Sequence, residues 1–248
     1  MKTSIKIGVI ITYIIAIITT SSCDKFNNVK FIENSGTSQI LTKQLPFFEE
    51  VKVSGMFDVD LKIGESYQIT INSDTNITPY IIAGVKDEIL YIKLKENISY
   101  SSSALKITIT SPNYKEIQAA GSSNINLVDL ETKELSIDMS GASSMKGGLI
   151  AEDIEIDLSG SSLIEIRGKA NLLKADLSGA SAFFAKDFVI NTLNADLSGS
   201  SVIDDILIID TLISDVSGAS MIKYRGNLKY INNDVSSASV VTKIENNN

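Results

Sequence analysis

The chain of 248 residues contains no histidine and only one cysteine, Cys23. Without histidine, Ser-His-Asp and Cys-His catalytic arrangements are excluded. A single cysteine excludes the thiolate clusters of soft-metal sites, and it cannot close an internal disulfide. The sequence therefore predicts no catalytic residue, no metal site and no cofactor.

Residues 1–22 have the layout of a lipoprotein signal peptide. Lys2 and Lys6 form a short positive region, residues 7–18 are almost entirely apolar, and small polar residues lead to Cys23. The apolar run is shorter than the roughly 20 residues that span a bilayer, so a transmembrane anchor is the less favoured alternative. The segment TTSSC resembles a bacterial lipobox, which implies cleavage before Cys23 and its acylation as a stable membrane anchor.

Basic residues are scarce, with 22 Lys and Arg against 30 Asp and Glu. Removal of Lys2 and Lys6 with the signal peptide leaves 20 basic residues against 30 acidic ones, a formal charge of −10. A nucleic-acid partner requires clustered Lys and Arg that neutralise phosphates. We therefore expect no nucleic-acid partner, and we attribute the net charge to solubility.

The chain after the signal peptide divides into three parts. Residues 23–45 are polar and aperiodic and are interpreted as a flexible tether. Residues 46–114 contain runs such as VKVSGMFDVDLKIG, YQITIN, ILYIKLK and LKITIT, in which apolar and polar residues alternate as in strands. We expect this N-terminal β region to pack on, or to continue, a repeat array over residues 115–248.

The repeat has a period of 19 or 20 residues. Its central glycine recurs at steps of 20, 19, 19, 20 and 19 residues, and Ser237 takes the seventh place. A fixed period of this length indicates a solenoid, and the strand-like composition favours an all-β, right-handed parallel β-helix. All three prolines, Pro46, Pro79 and Pro112, precede the array, as expected if its strand residues donate to the ladder. The glycines are Gly121, Gly141, Gly160, Gly179, Gly199 and Gly218.

Each repeat has a fixed side-chain pattern. Positions six, four and two before the glycine are apolar and should point inward, whereas an aspartate three positions before it should point outward. Glycine turns the chain because it tolerates positive φ, and a serine two places later is predicted to hydrogen-bond to its neighbours in the stack. Rungs lie about 4.8 Å apart, so identical residues form columns. The predicted aspartate column is Asp138, Asp157, Asp176, Asp196, Asp215 and Asp234.

The aspartate column has three interpretations. Like charges on neighbouring strands are unfavourable, and the favoured interpretation is structural, with serine hydroxyls and corner amides hydrogen-bonded to the carboxylates. A ladder of hard cations such as Ca²⁺ is the second, although the Gly-Gly-x-Gly-x-Asp repeat of calcium-binding solenoids is absent. Raised carboxyl pKa values are the third.

The motifs DMSGASS, DLSGSS, DLSGAS and DVSGAS resemble those of the GIN domain family of auto-transporter adhesin head domains. The preceding VKVSGMFDVDLKIGESYQITI and the closing YRGNLKYINNDVSSASVV extend the resemblance over residues 47–244. It implies a β-helical fold, an envelope location and an adhesive role, and it supplies no catalytic residues. Gln118 in the first aspartate place and Ser237 in the last glycine place depart from the pattern.

Two functions remain open. The favoured one is an outer-membrane lipoprotein of the cell envelope, on the periplasmic or the outer face, anchored to the membrane through Cys23. It would bind a glycan or protein ligand without catalysis, and the sequence assigns it no oligomeric state. The alternative is a β-helix polysaccharide lyase or hydrolase that uses carboxylates with Arg or Lys. Arg167 and Arg225 are the only arginines, and periodic carboxylates are more typical of structure than of a catalytic pair.

Overall fold

The computed structural model describes residues 29–100 and 105–245. The predicted signal peptide and Cys23 lie outside these described residues. The described part is all-β apart from one short 3-10 turn, Thr78–Tyr80, and it has no helix long and apolar enough to cross a membrane. Its strands are β1 (Lys30–Ile32), β2 (Ser38–Gln44), β3 (Glu50–Gly55), β4 (Asp58–Ile63), β5 (Gln68–Asp74), β6 (Ile81–Lys86), β7 (Ile89–Leu94), β8 (Ile98–Tyr100), β9 (Lys106–Ser111), β10 (Glu116–Gly121), β11 (Asn124–Glu131), β12 (Glu134–Met139), β13 (Ser144–Ile150), β14 (Asp153–Leu158), β15 (Leu163–Leu177), β16 (Ala182–Phe184), β17 (Phe188–Leu197), β18 (Val202–Val216), β19 (Met221–Arg225), β20 (Tyr230–Val235) and β21 (Val240–Lys243).

Nineteen of these strands join into one continuous sheet, and β1 and β8 form a separate parallel pair. The sheet winds into stacked parallel coils about 19 residues apart, forming a β-solenoid of about 7 turns. Each coil returns the chain to the same corner one strand spacing further along the stack, about 4.8 Å. The all-β parallel solenoid predicted from the glycine period is confirmed.

Most strand pairings lie on two long sides, which we call face A and face B. Face A holds the segments that precede each glycine corner, and face B holds those that follow it. The strands β15 and β18 run from face B around the solenoid into face A of the next rung. From the N-terminal end, face A consists of β7, β3, β10, β12, β14, residues 172–177, 192–197 and 211–216, and β20. Face B consists of β9, β4, β11, β13, residues 163–169, β16, residues 202–207, β19 and β21.

The N-terminal strands do not stack in chain order. β3 pairs with β7 on one side and β10 on the other, so Val51 lies between Leu90 and Ile117. β4 lies in the same way between β9 and β11. Antiparallel strands complete this end, where β6 pairs with β7, β5 with β9, and β2 with β5. In the sequence, β3 and β4 therefore precede the strands that flank them on both sides.

The structure differs from the flexible tether expected over residues 23–45. β2 pairs along its whole length with β5 although all its side chains are exposed. The turn before it is also held, because the backbone N–H groups of Ser35 and Gly36 donate to Asp74 Oδ2 at 2.8 and 3.1 Å. A strand exposed on both faces shows no apolar alternation, so its sequence pattern does not reveal it. The other boundaries of the predicted division stay predictions.

The core runs the length of the solenoid between the faces. On face A, the residues two, four and six places before each glycine are buried from β12 to β17, and full burial of one such aliphatic side chain stabilises the fold by about 1.5–3 kcal/mol. Aromatic rings fill wider places, and those of Phe183 and Phe188 meet edge to face at 6.3 Å. The buried Tyr114 hydroxyl has the carbonyl oxygens of Lys62 and Ile109 as acceptors, each at 3.0 Å. Burial raises the pKa of Tyr114 well above its usual value.

The corner glycines are in close contact with one another. From Gly121 to Gly218 their φ values lie between 72° and 85°. A Cβ added at Gly179 would lie 2.5 Å from the carbonyl oxygen of Gly160 in the preceding rung. The N–H of Ala180 donates to that same oxygen at 2.8 Å. Glycine is therefore required both by the backbone conformation and by the close approach of the rungs.

The serine that follows each glycine corner is buried and bonds mostly within its own rung. The Ser181 hydroxyl donates to the Ser178 carbonyl oxygen at 2.8 Å. Only Ser123, at the first corner, donates to the preceding rung, where Gly55 O lies at 3.1 Å. The predicted serine ladder along the stack is therefore wrong for most corners, because backbone amides already make those bonds. Bonds like that of Ser181 are made by Ser143, Ser162 and Ser201.

Candidate ligand-binding face

Face A carries the aspartate column on its outer surface. The backbone register places six aspartates side by side on successive rungs, and all six are exposed. They are Asp138, Asp157, Asp176, Asp196, Asp215 and Asp234. Towards the N-terminal end, the column continues through Gln118 to Lys52. Lys52 is therefore the one cation in line with the six carboxylates.

Within residues 29–100 and 105–245, none of the six carboxylates accepts a hydrogen bond. The hydroxyls of Ser178 and Ser217 donate instead to the carbonyl oxygens of Leu158 and Leu197, at 3.3 and 3.4 Å. The corner amides also donate to carbonyl oxygens of the preceding rung. The interpretation in which hydroxyls and corner amides satisfy the carboxylates is therefore wrong.

The carboxylates instead repel one another. The pKa of Asp176 is raised above its ordinary value, first by partial burial and then by the charges of Asp157 and Asp196. Partial burial and Asp157 also raise the pKa of Asp138, while Lys52 partly offsets the shift. These shifts support the third interpretation of the column. At Asp138 and Asp176 the ionised form therefore disfavours folding.

An open groove of about 610 Å³ follows the column along face A. It extends from Glu155 on β14 to Asp234 on β20, and Lys174, Asn194 and Ile213 form its other wall. The described residues contain no group of three or more carboxylate or thiol side chains that could hold a metal ion. The groove thus offers a row of hydrogen-bond acceptors to an extended ligand.

Two arginine contacts that the sequence analysis missed lie at the corner where face B ends. Arg167 Nη2 pairs with Asp129 Oδ1 at 2.6 Å. Arg225 pairs through Nε with Asp205 and donates through Nη2 to the carbonyl oxygen of Lys186. Each guanidinium therefore reaches two rungs back along the stack. The sequence signal that could have revealed these contacts is the separation of each arginine from its partner two rungs away, 38 or 39 residues, which is twice the repeat period.

Asp129 and Asp205 occupy the left-handed backbone region, with φ of 50° and 61°. Both lie where the strand register shifts by a bulge. Gly148 lies beneath the first arginine contact, and a Cβ there would be 2.2 Å from Asp129 Oδ1. Both arginine contacts therefore lie at irregular corners, and neither arginine lines the face A groove.

The fold and this face define a class of protein, a parallel β-solenoid whose outer surface repeats one polar pattern from rung to rung. A family model described as "Putative auto-transporter adhesin, head GIN domain" matches residues 47–228. The match covers more than half of the chain, and the chain belongs to this adhesin-like family. The family resemblance drawn from the repeat motifs is confirmed.

Solved structures of bacterial proteins share the fold. A "putative adhesin" from Bacteroides fragilis has a TM-score of 0.78 at 20% identity, covering 86% of this chain and 100% of its own. A "putative adhesin" from Parabacteroides merdae has a TM-score of 0.69 at 19% identity, covering 87% of this chain and 99% of its own. A "putative lipid binding protein" from Parabacteroides distasonis has a TM-score of 0.67 at 18% identity, covering 87% and 100%. No curated protein matches the chain.

Proposed function

We propose that this chain is a lipid-anchored scaffold of the bacterial cell envelope that binds a glycan or protein ligand along face A and catalyses no reaction. Its adhesin-like family supports a location in the envelope or at the cell surface. The signal peptide pattern and the lipobox-like segment before Cys23 support the anchor and an outer-membrane location. The groove on face A supplies the binding surface.

The observation that carries the proposal is that the same acceptor group repeats along this groove. Asp157, Asp176, Asp196 and Asp215 present the same acceptor on successive rungs, about 4.8 Å apart. An extended ligand can contact several rungs at once, and linked weak contacts reinforce one another. Carboxylates form charge-assisted hydrogen bonds with glycan hydroxyls or with Lys and Arg of a protein. Such a ligand would also relieve the repulsion within the column.

The enzyme alternative finds less support in the same geometry. A catalytic centre is a singular cluster in which nucleophile, base and stabilising groups meet. The carboxylates of face A repeat without such a focus, and Arg167 and Arg225 are engaged with Asp129 and Asp205 elsewhere. These placements favour binding over a polysaccharide lyase or hydrolase.

The test uses residues 24–248, which retain every described strand, on a glycan array and in pull-downs with envelope proteins. We expect a bound ligand to be lost in the Asp176→Asn/Asp196→Asn variant, because two acceptor charges leave the groove. Glu165→Gln is the matched control, since Glu165 is an exposed carboxylate on face B. Equal loss or equal retention in both variants would contradict binding at face A. Cleavage of an arrayed glycan would establish the enzyme alternative.

A further inference from the structure

The C-terminal end of the solenoid is open. Ile231 and Val235 of β20 are 49% and 43% exposed, although Leu212 and Val216, their partners in the rung beneath, are fully buried. Among the described strands, β20 pairs with β18 and β21 pairs with β19, and the other edge of each has no strand partner. The N-terminal end differs, since inward residues of its outermost parallel rung, such as Leu90, are fully buried. One end of the molecule therefore presents core residues and unpaired backbone groups together.

The sequence of β20 is self-complementary about Asn233. Ile231 and Val235 lie symmetrically on either side of it, and both point inward. Asn232 and Asp234 also lie symmetrically on either side of it, and both point outward. In an antiparallel pair, residues directly opposite point to the same side. If two copies of β20 pair with Asn233 opposite itself, Ile231 meets Val235 and Asn232 meets Asp234. No carboxylate then faces another carboxylate.

The neighbouring register is chemically worse. With Asn232 opposite itself, Ile231 would face Asn233, and Tyr230 would face Asp234. An apolar side chain would then oppose an amide in the core, and Asp234 would lose its amide partner. A buried polar residue can specify one register in this way, as a single asparagine does in coiled coils.

Asn233 is already oriented for such a contact. It continues an inward column that becomes smaller and more polar towards this end, from Ile156 through Ala175 and Ala195 to Ser214. The Ser214 hydroxyl donates to Asn233 Oδ1 at 2.9 Å. Among the described residues, the Asn233 side-chain NH2 donates no hydrogen bond. It can therefore donate to Asn233 of a second copy, and the reciprocal bond forms at the same time.

We propose that two copies of this chain associate end to end through β20, in an antiparallel pair with a twofold axis at Asn233. The contact continues the face A sheet from one molecule into the other and covers the exposed Ile231 and Val235. Unpaired strand edges favour this mode of association. The inference is independent of the ligand proposed for face A.

The association should be weak and concentration-dependent. The six residues of β20 span about 20 Å, so the end of the solenoid is small. We therefore expect its contact to fall at the low end of specific interfaces, below about 1,200 Å² in total. Sedimentation velocity of residues 24–248 over a concentration series should show a monomer–dimer equilibrium. A chain that stays monomeric at every concentration would overturn the proposal.

Charge substitutions test the register. Ile231→Lys and Val235→Glu should each abolish the dimer, because a charge would be buried against an apolar residue of the partner. The Ile231→Lys/Val235→Glu variant should restore it, since the introduced lysine of each copy then faces the introduced glutamate of the other across the interface. Within one molecule these positions are about 13 Å apart, too far for an ion pair. Dimerisation that persists in the single variants, or is not restored in the double variant, would refute this register.

A cysteine scan gives a second readout that does not depend on loss of folding. Asn233→Cys places two thiols at the twofold axis, where opposed Cα atoms lie about 4.5–5.5 Å apart. That separation is within the range for a disulfide. With oxidised glutathione, this variant of residues 24–248 should form a covalent dimer faster than the Asn232→Cys control, whose thiols lie farther apart. Equal rates would overturn the twofold pairing.

Discussion

Substitution of Gly179 by valine tests whether the close packing of the glycine corners stabilises the solenoid. Two costs should add at this middle rung. The φ of +73° costs a residue with a side chain about 1–3 kcal/mol. The added Cβ would lie 2.5 Å from Gly160 O, which forces the rungs apart at a cost of about 1–3 kcal/mol more. A total of about 4 kcal/mol should lower the melting temperature by about 8–16 °C for a chain of this size.

The chain offers controls that separate the two costs. Gly36 has nearly the same φ, +75°, but nothing lies within 4 Å of its added Cβ, so Gly36→Val measures the conformational cost alone. Ser237 already carries a Cβ at a φ of 62° in the exposed last rung, and Ser237→Val should cost least. Thermal melts followed by circular dichroism give the comparison. Equal shifts for Gly179→Val and Gly36→Val would refute the argument from stacked corners.

Three further predictions concern charge, metal and anchoring. Because the pKa values of Asp138 and Asp176 are raised, the folded state binds their protons more tightly, and stability should fall as pH rises above about 3.9. The pKa of Asp60 is lowered, so its contribution to stability is lost as the pH falls below about 3.9. The melting temperature should therefore peak in mild acid. A steady rise to neutral pH would contradict this. EDTA and Ca²⁺ should leave the melting temperature unchanged. If the protein had a Ca²⁺ site, free Ca²⁺ at a hundred times its Kd would add about 2.7 kcal/mol to the free energy of unfolding. Cys23→Ser should release the protein from membrane fractions and leave the precursor uncleaved, and unchanged partition and processing would refute the anchor.

The repeat array was predictable because its information is local. The distance from Gly141 to Gly160 is the length of one coil, and alternation across Leu135, Ile137 and Met139 marks the inward side. The N-terminal order could not be obtained in this way. Val51 pairs with Ile117, 66 residues later, and no pattern within β3 specifies that partner.

The position of the aspartate column followed from the same alternation, but its bonding did not. A serine hydroxyl can donate to a carboxylate or to a carbonyl oxygen. The backbone geometry of the corner places the Ser178 hydroxyl within hydrogen-bond distance of the Leu158 carbonyl oxygen. The contact between Arg167 and Asp129 depends on a bulge that changes the register. Sequence alternation specifies which way a side chain points, whereas bonds across rungs depend on the distances between rungs.

The interleaving of β3 and β4 between later strands has a consequence for the order of folding. Adjacent rungs in the array pair residues about 19 apart, whereas β3 meets β10 across 66 residues. With a closure cost of about (3/2)RT ln n, the longer loop costs about 1.1 kcal/mol more than one coil. Residues 50–63 emerge early in synthesis, but their flanking strands appear only after residue 88. Folding should therefore nucleate within the uniform array, and the first strands of the stack should join it late.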